Sequence, residues 1–222
     1  MDKANPSQEK AATWASAKGF FVGLTVLCVA GAAVWFGYVQ FFTKGLDHLP
    51  AKVCDGTVER DTVKQVLPSA RSAEEGSKRQ SSGEDLTFYC HVDTSGDASL
   101  WGEARIRPLS RADWLESYQE SGDGSRLSRA SVDGIEALAR SDDKYAAVYV
   151  PCVPRSVDSA DASEDYGVVT RVYAEGDTEA TGEALEQRLT DIAYRLSEHT
   201  YELAECQNSL AFPEELPRYE NG

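Results

Sequence analysis

Cys54, Cys90, Cys152 and Cys206 are the residues of this chain whose type and spacing speak most directly to chemistry. Their intervals of 36, 62 and 54 residues contain no C-x-x-C pair and no local histidine set, although His91 adjoins Cys90. Such spacing favours disulfides over a structural zinc site. Four cysteines permit three connectivities, and spacing alone does not choose among them. A nucleophilic cysteine would need a histidine brought to it by the fold, and only His48, His91 and His199 are present. The fifth cysteine, Cys28, lies inside an apolar run and reads as a small apolar filler, since Leu27 stands where a lipoprotein signal needs a small residue.

Other candidate chemistries fail on particular residues. The chain has no G-x-S-x-G, no G-x-x-x-x-G-K-[ST], no H-E-x-x-H and no G-x-G-x-x-G after a strand. His199 falls between Leu196 and Leu203 on the seam of a helical pattern, the place of a hydrogen-bonded packing histidine. His48 and His91 have no carboxylate partner evident in sequence. Asp93, Ser95, Asp97 and Ser99 alternate like the start of a calcium loop, but Ala98 stands where the turn glycine belongs and Ala104 where the bidentate acid belongs, so a hairpin turn is expected. Asp158, Asp161, Glu164 and Asp165 read as an acidic solvated loop. No catalytic, cofactor-binding or metal-ligating residue is assigned, and no cofactor is implied.

These residues must be positioned by elements, and the first element is an apolar run. Gly19 to Phe42 is 24 residues without a charge, which at about 1.5 Å per residue crosses a hydrocarbon core of roughly 30 Å. Ala30-Gly31-Ala32 resembles a signal-peptide cut site, yet Val34, Trp35 and Phe36 carry the apolar run past it, so an uncleaved signal anchor is expected. Lys3, Lys10 and Lys18 before the run are matched by Lys44, Lys52 and Arg60 after it, and the positive-inside count is a tie. The cysteines break the tie: the long carboxy-terminal part is expected outside, with residues 1–18 cytoplasmic and too short for a folded output domain. Trp14 and Tyr38 suit the membrane interfaces, and Gly19-x-x-x-Gly23 and Ala33-x-x-x-Gly37 offer surfaces for a homodimer through the span.

Residues 43–222 carry 19 Lys plus Arg against 35 Asp plus Glu, a net charge of −16. So acidic a body repels nucleic acid and anionic lipid surfaces. Arginine outnumbers lysine 14 to 8 and no Asn-x-Ser/Thr sequon is present, which points to a bacterial plasma membrane.

After a juxtamembrane stalk, residues 43–53, the pattern predicts an α+β domain over 54–207, an antiparallel sheet with helices on one face. Thr57 caps a helix through Leu67, Ser69 to Asp85 is polar loop, and Leu86 to Val92 and Leu100 to Pro108 are paired strands. Ser110 caps a short helix whose Trp114, Leu115 and Tyr118 make its apolar contact. Residues 119–131 read as loop, 132–140 as ambiguous, Tyr145 to Pro154 and Tyr166 to Glu175 as strands. Leu185, Leu189, Ile192, Leu196 and Leu203 recur at helical spacing from Thr181 to Cys206, before an extended tail over 208–222. Two related halves, 54–118 and 144–206, are thereby suggested, each with one cysteine on a strand and one at a helix terminus. That symmetry predicts Cys54 with Cys90 and Cys152 with Cys206.

With its apolar run, the CDGT at Cys54, the YVPC ending at Cys152 and the late helix ending near Cys206, the chain resembles actinobacterial single-pass membrane proteins and lipoproteins with four-cysteine α+β ectodomains. The resemblance covers the layout and implies no activity. The expected function is a membrane-anchored extracytoplasmic interaction or ligand-binding module of the cell envelope, with an envelope protein or small ligand as partner. The alternative is an envelope hydrolase or other enzyme with an acidic site using His91 or His199.

Overall fold

The computed structural model describes residues 24–38, 44–82, 85–120, 127–140, 142–157, 165–207 and 209–219. The chain divides into two compact units, Met1–Thr43 and Lys44–Gly222. In the first, residues 24–38 are helical (α1) with exposed apolar side chains such as Leu27, Val34 and Trp35. Among the described residues no helix is long and apolar enough to cross a membrane. The ends of the expected span, 19–23 and 39–42, and the segment 1–18 lie outside the described residues.

The second unit begins with a 3-10 turn, Gly45–His48, and a two-stranded ribbon, β1 (Lys52–Val53) with β2 (Val58–Glu59). A short helix, α2 (Arg60–Val66), leads into β3 (Ala73–Ser82), β4 (Asp85–Thr94) and β5 (Ser99–Arg107). Helix α3 (Arg111–Glu120) then crosses to β6 (Ser128–Val132), β7 (Ile135–Arg140), β8 (Tyr145–Pro151) and β9 (Gly167–Glu175), and α4 (Gly182–Leu203) closes the fold. The seven strands β3 to β9 form one antiparallel sheet in the order β3-β4-β5-β9-β8-β7-β6. Two meanders, one counting up and one counting down, thus meet at the β5–β9 seam. The suggested two halves are one sheet.

Alternation along the strands decides which side faces α4. Leu86, Phe88, Cys90 and Val92 of β4, Leu100, Ala104 and Ile106 of β5, and Val168, Thr170, Val172 and Ala174 of β9 are buried on the inner face. Leu185, Leu189, Ile192, Ala193 and Leu196 of α4 pack on them. Gly102 lets α4 come close, because a Cβ there would meet the Leu196 side chain. Ala204 caps α4 and Glu205 turns left-handed at φ 49°. The Glu205 and Cys206 amides then donate back to the Glu202 and Tyr201 carbonyls at 3.0 and 3.4 Å, a Schellman closure. This closure aims Cys206 at Cys152, with Cα atoms 5.2 Å apart, and Cys54 bonds Cys90 at the same Cα separation. Both disulfides take the expected pairing and lie in the inner core.

The structure corrects several expectations. Helices cover both faces of the sheet: α3 lies on the outer face, where Trp114, Leu138, Ala147, Tyr149 and Val169 make a second small core. Ser110 does cap α3, its Oγ accepting from the Asp113 amide at 3.1 Å. Arg111 pairs with fully buried Glu136, which also accepts from Arg129 Nε at 3.0 Å and Ser131 Oγ at 2.8 Å. This pins α3 to β6 and β7. The expected loop over 69–85 is largely β3, a strand with no buried residue that pairs with β4 through its backbone. The 119–131 loop and the ambiguous segment give way to the β6–β7 hairpin, turned by Asp133 and Gly134 at φ 49° and 87°; residues 121–126 lie outside the described residues. Thr57 does not cap α2, whose N-cap is Glu59, and Cys54 sits in the ribbon turn before that helix. The tail is extended but seated on α4: Leu216 is buried, and the Tyr194 hydroxyl donates to the Pro213 carbonyl at 2.6 Å.

Candidate functional site

Strands β4, β5 and β9 turn their second set of side chains to the outer face, and α3 packs there against residues of β7, β8 and β9 only. Over β3, β4 and β5 that face is bare among the described residues. The strand register lines up Gly76, His91, Trp101, Tyr173 and Tyr145 in one row across five strands. His91 stacks on Trp101 with ring centroids 5.3 Å apart and planes 22° from parallel. Gly76 makes room for this, since a Cβ there would meet the His91 ring. The Trp101 indole N–H donates to Ser99 Oγ at 3.1 Å, so the ring is held at both ends. Trp101 and Tyr173 are each 38% exposed, the only large apolar side chains of Lys44–Gly222 so exposed among the described residues.

One register row further along, Lys78, Tyr89, Glu103 and Arg171 face outward, followed by Arg105 and then Arg107. Arg105, Arg107 and Arg171 surround a hollow of about 460 Å³ between β5, β9 and α3, with Trp114, Ser117 and Val169 also in its lining. Arg105 pairs with Glu103, and Arg171 bonds the Tyr118 hydroxyl. Arg107 is exposed and has no acidic partner among the described residues. The buried Trp114 indole N–H likewise finds no hydrogen-bond partner among them. A neighbouring hollow of about 610 Å³ is lined by Tyr118, Arg140, Tyr145, Arg171 and Tyr173. The Tyr118 and Tyr145 hydroxyls lie 2.6 Å apart, and burial, then the Tyr118 neighbour, push the Tyr145 hydroxyl far above the usual phenol range. That pair is a hydrogen-bonded wall of the hollow.

A polar cleft of about 570 Å³ lies on the other side, between the ribbon, α4 and the tail. Asp55, Glu59, Asp191, Glu198 and Glu202 line it together with Lys52, Arg188 and Arg195. Most of these charges are already paired: Lys52 with Glu59 at 3.1 Å, Arg188 with Asp191 at 3.3 Å and Arg195 with Glu198 at 2.9 Å. His199 reaches this cleft with its ring edge against Phe88, centroids 4.8 Å apart. Its Nε2 is buried, 4.0 Å from Asp55 Oδ2, and has no hydrogen-bond partner among the described residues. It packs as expected but lacks, at Nε2, the expected bond.

The structure therefore separates the two histidines the sequence offered: His91 is on the outer face and His199 on the inner, and no single site joins them. His48 ends the 3-10 turn, exposed. Asp93 to Ser99 form the hairpin turn, with Asp97 at φ 62° and the Thr94 amide donating to the Ala98 carbonyl at 3.0 Å. Among the described residues no group of three His, Cys, Asp or Glu side chains converges to hold a metal. Asp158, Asp161 and Glu164 lie outside the described residues. Trp101, Glu103, Arg105 and Arg107 alternate along the strand expected from Leu100 to Pro108, and the sequence assigned them no role. The signal was an outward set that is aromatic and cationic in an acidic chain. Compared with known proteins, the chain matches no family model, no curated protein and no solved structure.

Proposed function

We propose that this protein is a membrane-tethered, extracytoplasmic binding module of a bacterial cell envelope, and that the bare outer face of β3, β4, β5 and β9 is its binding surface. One observation carries the reading: the exposed Trp101 and Tyr173 are paired neighbours on β5 and β9, on the part of the sheet that no described element covers. Aromatic side chains held rigidly at a surface bind at low entropic cost, which is how recognition surfaces use them. The apolar run from Gly19 to Phe42 supports tethering, and two disulfides suit an oxidising compartment.

The hydrolase reading would have to work through His91, which lies 4.0 Å from Asp93 with its ring stacked on Trp101, or through His199, 4.0 Å from Asp55. An acid–base histidine must reach its substrate, and the His199 Nε2 is buried between Phe88 and α4. Binding is the better account.

Site-specific photo-crosslinking in intact cells tests it. A crosslinker at position 101 or 173 captures a discrete envelope component, whereas one at Lys64 on α2 does not. Equal capture from position 64, or none from 101 and 173, overturns the reading. Location has its own check: an impermeant thiol reagent labels the four paired cysteines from outside the cell, and only after reduction.

A further inference from the structure

Resting on that reading, we propose that the ligand is an acidic glycan: a saccharide chain whose rings lie on Trp101 and Tyr173 and whose anionic group, carboxylate or phosphate, enters the hollow lined by Arg105, Arg107 and Arg171. Three arginines against Glu103 leave this lining net positive in a chain whose net charge is −15. Guanidinium groups present paired donors that match carboxylate and phosphate oxygens, and an unpaired Arg107 has its donors free for such a group among the described residues. Because the surrounding surface is acidic, a densely charged polyanion is repelled, and nucleic acid and anionic membranes are disfavoured. A ligand with sparse charges on a neutral backbone fits.

Reach sets its length. Arg105 is four residues beyond Trp101 on the same strand and Arg107 six, roughly 14 and 20 Å at about 3.4 Å per residue. A ligand touching both the aromatic row and the hollow is extended and longer than one ring. Its neutral part must offer flat apolar faces edged by polar groups, because Trp101 and Tyr173 share their row with His91 and Tyr145 and are bordered in the next by Lys78, Glu103 and Arg171. Sugar rings have that character. Protein interface cores are depleted in charge, and this surface is not. Trp101 is also pre-set for stacking by His91 and Ser99, so little is lost in ordering it.

The test uses the full chain in phosphatidylcholine nanodiscs and calorimetric titration with four probes: a hexasaccharide of neutral rings ending in one uronic acid, its methyl ester, a mannose hexasaccharide carrying one phosphate, and hexaglutamate. The expected result is that at least one acidic saccharide binds about tenfold more tightly than the ester, with affinity falling as salt rises. R107Q removes most of that preference, while W101A weakens acid and ester alike; both residues are exposed, and unchanged melting curves confirm intact folds. If the ester binds as tightly as the acids, or R107Q changes nothing, the anion site is refuted and the wider binding reading stands. If hexaglutamate binds as tightly as the saccharides, the face reads charge alone and the glycan is refuted. If no saccharide binds, the proposal falls, and the crosslinks from positions 101 and 173 decide the binding reading independently.

Discussion

The two faces of one sheet have been put to different uses. The inner face carries α4, most of the apolar core and both disulfides, and some of its polar groups bond each other, as where Ser197 Oγ donates to Thr170 Oγ1 at 2.7 Å. Among the described residues, the outer face carries one ten-residue helix over its β7–β9 side and has no cover on its β3–β5 side. A chain that needed only to be stable would cover its exposed tryptophan. The inner face holds the core and, on the proposed reading, the outer face binds, so substitutions on the two faces should fail in different ways.

The contrast can be broken from its strong end downward. Replacing Cys152 and Cys206 by alanine opens a loop of 54 residues, and the chain-entropy model puts the loss at about 4 kcal/mol in denaturant unfolding. An unchanged midpoint would show that α4 is held by packing alone. Leu196→Ala, fully buried over Gly102, costs about 3 kcal/mol by the same measurement, and a loss below about 1 kcal/mol would mean the inner face is looser than its burial indicates.

Alkaline pH probes a buried group beneath α3. Burial, then the Asp165 charge, push the Tyr149 hydroxyl up to about 12, so the fold favours its neutral form. That contribution is complete below the ordinary phenol pKa near 10 and is lost as pH rises through 12, on the order of 2 to 3 kcal/mol. Tyr194, beside α4's outer tail, behaves alike because burial raises it to about 12 as well. Tyr149→Phe should flatten the stability-against-pH curve between 10 and 12 by about a quarter, because burial raises Tyr145, Tyr194 and Tyr219 as well; an identical curve would mean Tyr149 does not titrate with unfolding. Smallest of all for stability is Trp101→Ala, within about 0.5 kcal/mol of wild type while ligand capture is lost. A large destabilisation there would erase the distinction between the faces.

Much of the inner face was legible because burial leaves a period. Leu86 to Val92, Leu100 to Ile106 and Gly167 to Glu175 alternate, and α4 repeats its leucines at helical spacing. The cysteine pairing followed from the same periods, since Cys206 continues the α4 stripe. Strand β3 was not legible: AEEGSKRQSS is an edge strand with no side chain fully buried, so backbone pairing alone makes it a strand. The side of the sheet that α3 covers was hidden too, because it depends on which way the chain crosses from β5 to the far edge. The arginine hollow needs Arg107 and Arg171, which stand on different strands and become neighbours only through β5–β9 pairing. No local pattern records that.

The β5–β9 seam joins residues 60 to 76 positions apart, and it is the one join between the two meanders. A chain emerging amino-terminus first holds β3, β4 and β5 with an unpaired β5 edge until β9 has been made and delivered, and such long-range pairing is the slow part of β assembly. During that interval the open edge is open to other chains. The arginine hollow and the Trp101–Tyr173 pair are completed by the same late strand. On the proposed reading, ligand recognition is therefore available only to molecules that have finished assembling, and half-built copies are silent.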